Sequence, residues 1–183
     1  MTVLKVIHDN VEHQVPGTRR GEPLIRAIAQ EQVAHESQLG LAFTWVSLNA
    51  DINIGDTALI VRNTSDEFLV MTEITGFPAN VSCDYSINVG NSTTAFSGGT
   101  AVVAANLNQL FPNKTFDYDA HTDETAIADG TLVDGLWVST VQSNTKSLAG
   151  IILGKNDFIQ VNQETESTSG RIILKGFFIE ELI

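Results

Sequence analysis

Gly55-Asp56-Thr57-Ala58-Leu59-Ile60-Val61-Arg62-Asn63-Thr64-Ser65-Asp66-Glu67-Phe68-Leu69-Val70-Met71-Thr72-Glu73-Ile74 is the stretch that decides the fold. Two short runs of Val, Ile, Leu, Phe and Thr flank Asn63-Thr64-Ser65-Asp66, four residues whose polar side chains favour a turn. The pattern predicts strands over 58–62 and 68–74 joined as a hairpin. Working downstream, the same texture predicts strands over 81–89, 100–104, 131–140, 148–153, 158–162 and 171–182, each bounded by turn-forming residues. Upstream, Phe43 and Trp45 and then, after a slip in the alternation, Val46 and Leu48 predict a first strand. Short strands at regular intervals, with no helical pattern after Gly40, favour an antiparallel β-sandwich over a parallel α/β sheet. At this length the expected member of that class is a jelly roll.

The segment before Gly40 reads differently. Val3, Leu4, Val6 and Ile7 form a short β-capable run that leads into the polar stretch 9–20, where Arg19 and Arg20 make a local basic pair. This predicts an N-terminal arm. Pro23 near a helix start, the apolar positions Leu24, Ile25, Ile28 and Val33, and Gly40 after the last turn predict one short amphipathic helix over 23–39. The expected organisation is therefore an arm and helix over 1–40 and a β-sandwich domain over 41–183. Within that domain, residues 106–129, with Pro112 and many acids, are expected to form a long loop.

Composition narrows the partners. A chain of 183 residues with 43% hydrophobic and 17% charged residues fills one core and lacks the signature of disorder. Its formal charge of −12 repels a phosphate backbone, so nucleic acid is not an expected partner. No apolar run approaches the length of a spanning helix and no basic amphipathic segment exists, so no membrane contact is expected. The opening Met-Thr-Val-Leu-Lys-Val-Ile-His-Asp-Asn is too quickly interrupted by polar residues to predict an export signal. Cys83 is the lone cysteine, which excludes an internal disulfide and a four-cysteine zinc site. Asn-x-Ser/Thr triplets begin at Asn63, Asn80, Asn91 and Asn113, and without a secretory route they read as polar turns.

The candidate chemistry is thin. In Asp117-Tyr118-Asp119-Ala120-His121-Thr122-Asp123-Glu124, potential ligands recur at every second residue. A calcium loop needs Asp or Asn where His121 stands, Gly where Thr122 stands and Glu where Ala128 stands, so the reading is a solvated acidic loop. Gly150-Ile151-Ile152-Leu153-Gly154-Lys155-Asn156 has one residue too few between its glycines for a phosphate loop, and Asn156 replaces the Ser or Thr that Mg²⁺ needs. It reads as a strand and turn. His8, His13, His35 and His121 form no metal-ligating pattern, and Cys83 beside Asp84 lacks the electropositive setting of a nucleophile. Trp45, Trp137, Tyr85 and Tyr118 offer faces for sugar stacking, although core packing accounts for Trp45 and Trp137 equally well. No enzyme, metal or cofactor is expected from these residues.

The runs 55–65 and 68–74, together with Gly99-Thr100-Ala101-Val102-Val103-Ala104-Ala105-Asn106-Leu107-Asn108 and Leu153-Gly154-Lys155-Asn156-Asp157, resemble β-sandwich virion proteins of tailed bacteriophages. The likeness covers about residues 40–183 and is closest to capsid decoration (cement) proteins. It implies a jelly-roll body on the outside of an assembled capsid, bound to major capsid protein subunits and often trimeric, hence located at the virion exterior. Receptor-binding and tail-associated proteins that grip a host-surface carbohydrate use similar sandwiches and form the alternative. The candidate assembly contacts are Val3, Leu4, Val6, Ile7, Arg19 and Arg20. The apolar end formed by Phe177, Phe178, Ile179, Leu182 and Ile183 adds to the expectation of association.

Overall fold

A computed structural model describes residues 4–8, 11–15, 41–47, 55–77, 80–108, 116–124, 130–165 and 170–179. Its strands are β1 (Leu4–His8), β2 (Val11–Val15), β3 (Ala42–Val46), β4 (Thr57–Asn63), β5 (Phe68–Phe77), β6 (Cys83–Asn91), β7 (Thr100–Ala101), β8 (Ala105–Asn106), β9 (Tyr118–Thr122), β10 (Thr131–Val138), β11 (Asn144–Leu153), β12 (Asp157–Gln163) and β13 (Arg171–Ile179). Sheet I has the order β10-β6-β12-β4-β9-β7, sheet II the order β11-β5-β13-β3-β8, and β1 and β2 form a separate two-stranded ribbon. Every pairing in the two sheets is antiparallel. The chain is thus mainly β, with two antiparallel sheets arranged as in a β-sandwich. The helix expected over 23–39 lies outside the described residues. Among those described, no helix is long and apolar enough to cross a membrane.

One core joins the two sheets. Leu59 and Val61 of β4, Tyr85 and Ile87 of β6, and Ile159 and Val161 of β12 meet Trp45, Leu69, Met71, Ile74, Leu174 and Phe178 from sheet II, all buried. Alternation along each strand sends these residues inward, and each large aliphatic or aromatic side chain so buried contributes about 1.5–3 kcal/mol. In β5 the inward set runs Leu69 and Met71 and then Ile74, one residue out of step. The change of parity coincides with bulges in both neighbouring ladders, between Ser147 and Ile151 of β11 and between Lys175 and Gly176 of β13. An extra residue in a strand reverses the face of everything beyond it, so the bulges keep both halves of β5 pointing inward.

The stretch 55–74 forms its two strands, but the expected hairpin is corrected: β4 lies in sheet I and β5 in sheet II. The turn is an arch across the end of the two layers. Asn63 is the reason. It is fully buried, its Oδ1 accepts from Ser65 N (3.0 Å) and Ser65 Oγ (2.8 Å), and its Nδ2 donates to Glu67 O (2.6 Å) and Leu153 O (3.0 Å). A side chain so engaged turns the backbone out of the plane of sheet I instead of folding it back onto β4.

Later strands change sheet in the same way. β10 and β12 belong to sheet I, β11 and β13 to sheet II, and the strip β4–β5–β6 pairs rung by rung with β12–β11–β10. The strand expected over 100–104 is reduced to the two-residue β7, with β8 following it. The loop expected over 106–129 contains β9, another correction. Tyr118, Ala120 and Thr122 face inward, Tyr118 packing edge-on against Trp45 at 5.6 Å while its hydroxyl oxygen accepts from Ala104 N at 2.7 Å. Polar residues alternate with these, so the strand carries little apolar signal.

Candidate interaction surface

The acidic segment singled out by its spacing lies on β9 and just beyond it, and its outward side chains are occupied. Arg62 stands opposite Asp119 in the β4–β9 register and is 5% exposed. Its Nη2 donates to Asp119 Oδ2 at 2.8 Å, and its Nη1 donates to Ser92 O at 3.0 Å and to Thr94 O. The guanidinium lies 4.7 Å from the ring centroid of Phe96, whose backbone N donates to Asp119 Oδ2 at 3.3 Å. His121 Nδ1 sits 2.8 Å from Gly98 O, a carbonyl that only accepts, so the proton is on Nδ1. Buried Glu124 accepts from Gly98 N at 3.1 and 3.3 Å. Phe96 closes a small apolar cluster with Ile60 and Phe158 on the outer side of sheet I. Together these groups pin loop 92–99 across the sheet. Among the described residues, no cluster of three or more His, Cys, Asp or Glu side chains is placed to hold a metal ion.

Several other sequence candidates are structural. Cys83 is buried in the core, its Sγ 3.4 Å from Val81 O. Burial first, and then the adjacent Cys83, push the Tyr85 hydroxyl pKa well above its ordinary value. Asn63 is buried within its triplet and inaccessible to any modifying enzyme. Gly150 to Asn156 is the end of β11 and a turn, with Asn156 at φ 68°. Phe177 and Phe178 are both buried, which explains the apolar end as core; Leu182 and Ile183 lie outside the described residues. Of the proposed assembly contacts, Leu4, Val6 and Ile7 belong to β1, while Val3, Arg19 and Arg20 lie outside the described residues. The run expected to lie free as an arm is therefore paired locally, with Leu4 opposite Val15 and His8 opposite Val11.

Trp137 is the aromatic whose placement departs most from expectation. It is 56% exposed on the outer side of β10, directly across from Asp84 of β6. Core packing explains Trp45, which is fully buried, but not Trp137.

Trp137 belongs to a larger feature. β10 ends sheet I and β11 ends sheet II on the same side of the molecule, so two strand edges face each other across an open seam. The upper part is closed by side chains: Lys146 Nζ donates to Asp134 Oδ1 at 2.5 Å and to Gly135 O at 3.0 Å, and Asn144 Nδ2 donates to Trp137 O at 2.7 Å. These contacts occupy carbonyl groups on the free edge of β10, which shields that half from strand addition. Lower down both edges are bulged, at Val133 in β10 and between Ser147 and Ile151 in β11, with Gly150 at φ 103°.

There the seam opens into a groove of about 530 Å³ lined by Val89, Val133, Ile151, Ile152 and Leu153, with Thr131 and Asp157 among its polar members. Asp157 is the only ionisable residue of the lining. Its Oδ1 accepts from Asn91 Nδ2 at 2.7 Å and its Oδ2 from Gly154 N at 2.9 Å. Leu132 (65% exposed), Val133, Trp137 and Ile152 place apolar surface along the two edges. Sequence reasoning missed this surface because exposure of an apolar edge strand has no signature of its own. The bulges that create it are set by tertiary pairing.

No family model, curated protein or solved structure matched the chain.

Proposed function

We propose that this chain is a structural virion protein, a capsid decoration protein that binds the outside of a phage head and stabilises the shell by surface contact. The observation that carries the reading is the open seam: exposed Leu132, Val133, Trp137 and Ile152 along two unprotected strand edges, rimmed by polar residues. Contiguous exposed apolar surface of this kind marks a site of association rather than of turnover. The polar clusters that were candidates for chemistry are instead committed to holding loops.

The likeness of residues 55–74, 99–108 and 153–157 to β-sandwich virion proteins gives the surface its setting. Pairing of the strip β4–β5–β6 with β12–β11–β10 supports a jelly-roll reading, because a jelly roll is a long antiparallel strip rolled so that its successive strands alternate between sheets. In this reading the partners are major capsid protein subunits and further copies of the chain, in trimers, and the net charge of −12 suits an exterior position away from packaged nucleic acid. The test is co-sedimentation of purified protein with undecorated heads and, separately, with isolated tails. Pelleting with heads supports decoration; pelleting with tails alone, or with neither, removes it.

A second reading, a tail-associated module that recognises a host-surface carbohydrate, is favoured by one observation. Trp137 exposes an aromatic face beside the Asp84 carboxylate, a pairing suited to stacking on a sugar ring and accepting from its hydroxyls. Glycan-array binding that is lost on Trp137→Ala supports this alternative, and an array without signal removes it.

A further inference from the structure

We infer that the groove between β10 and β11 receives the N-terminal ribbon β1–β2 of a second copy of this chain, so that copies associate head to tail. The inference rests on reading the seam as an association surface, and it goes further by naming the occupant. Three observations carry it.

The first is that β1 and β2 hydrogen-bond to each other and to neither sheet. A two-stranded ribbon alone is at best marginally stable in water and needs a surface to cover one face. Its register places Leu4 opposite Val15 and His8 opposite Val11, so positions 4, 6, 11 and 15, all leucine or valine, fall on one face of the ribbon.

The second is fit. A five-residue strand extends over about 17 Å. The open part of the seam is bounded by Thr131 and Val133 on one side and by Gly150 to Leu153 on the other, a comparable span of extended chain. The same edges are blocked above by Lys146 and Asn144, which fixes where an added strand has to stop.

The third is charge, and it selects the occupant. Residues 1–20 hold three of the ten basic residues, Lys5, Arg19 and Arg20, but only two of the 22 acidic ones, Asp9 and Glu12, which leaves +1 there and −13 over the remainder. Body against body, two copies repel. Ribbon against body, they attract, and Lys5 is the ribbon's cation for a groove whose ionisable member is Asp157. A symmetric contact through two seams brings like charges together, whereas a head-to-tail contact does not. Such contacts close into rings when the rotation between copies permits.

The test uses the full chain with cysteines introduced singly and two distinguishable tags. Cys83 is buried, so an introduced thiol is the accessible one. One population carries Val6→Cys and the other Val133→Cys; they are mixed and gently oxidised. The expected product is a disulfide-linked pair bearing both tags, with none when Val133→Cys is replaced by Val103→Cys, which is 85% exposed and lies away from the seam. Absence of a mixed-tag product, or an equal yield with Val103→Cys, overturns the inference. So does a Val6→Cys/Val133→Cys double variant that closes only within one chain, because the ribbon then covers its own groove. In parallel, Ile152→Asp is expected to weaken self-association by more than about tenfold in sedimentation, since it puts a second uncompensated carboxylate beside Asp157. Unchanged association in a variant whose circular dichroism is intact contradicts the inference. Failure of head pelleting alongside positive crosslinking removes the decoration reading and leaves this contact standing; the reverse result removes this contact alone.

Discussion

At Arg62 a full charge is taken out of water and held by one carboxylate, two backbone carbonyls and the face of Phe96. Removing one member of such a buried set leaves the others without partners, which typically costs about 3–5 kcal/mol. Arg62→Ala is therefore expected to lower stability by about 3 kcal/mol in urea denaturation, and Arg62→Lys by less, because an ammonium keeps the charge but not the fork that reaches both the loop and Asp119. A loss below about 1 kcal/mol for Arg62→Ala would mean the clamp is ornamental. Asp123 makes a smaller, pH-dependent case. Partial burial, then Asp56 and Glu124, raise its pKa above the ordinary 3.8. The folded state thus binds that proton more tightly than the unfolded chain, so Asp123 costs stability at neutral pH, and the cost fades as pH falls through the folded value towards 3.8. Asp123→Asn, which tolerates the φ of 58°, is expected to raise the Tm slightly at pH 7 and to show no gain below about pH 3.8. The two tryptophans separate cleanly: acrylamide should quench Trp137 and spare Trp45, and Trp137→Phe should abolish the quenchable fraction. Strong residual quenching in that variant would place Trp45 in water.

Among the elements, those with alternating apolar residues were legible: β3, β4, β5, β10, β12 and β13 all lie where Val, Ile, Leu and Phe recur at the strand period. What the sequence did not disclose was which sheet each strand joins. The turn residues after Asn63 fit a hairpin and an arch equally well, and the choice falls to the Asn63 side chain reaching Leu153, ninety residues away. β9 was illegible for another reason. Its inward residues are Tyr118, Ala120 and Thr122, whose polar atoms find partners only once the strand is in place, and its outward acids look like solvent-exposed loop until Arg62 is set opposite them. The metal-like spacing there came from the strand period itself, which puts Asp119 and His121 on one face. Gly99 illustrates the same limit. Its φ is 61° and a Cβ would collide with the Thr122 carbonyl oxygen, a constraint that follows from packing of the loop on β9. For the ribbon, deletion of residues 1–20 is expected to leave the strand signal in circular dichroism and cooperative melting intact, since β1 and β2 bond to neither sheet. Unfolding on truncation would make the ribbon part of the fold and remove it as a contact element.

Over the whole molecule, two sheets share one core while their edges are treated unequally. On one side short β7 and β8 leave little edge to pair with. On the other, β10 and β11 remain long, bulged and apolar, capped by Lys146 and Asn144 over half their length and open over the rest. Natural sheets blunt such edges unless they are used. On a chain of net charge −12 the neutral, apolar seam is where another protein meets the least repulsion. The head-decoration reading, the trimers implied by the resemblance and the head-to-tail contact all depend on that seam being covered in the assembly. The measurement that tests this most directly is a cryo-electron microscopy reconstruction of the virion at a resolution that traces β10 and β11. The account predicts density for the chain over the head lattice with Val133 and Ile152 buried against another polypeptide; density on the head with the seam facing solvent, or no density on the head at all, would contradict it.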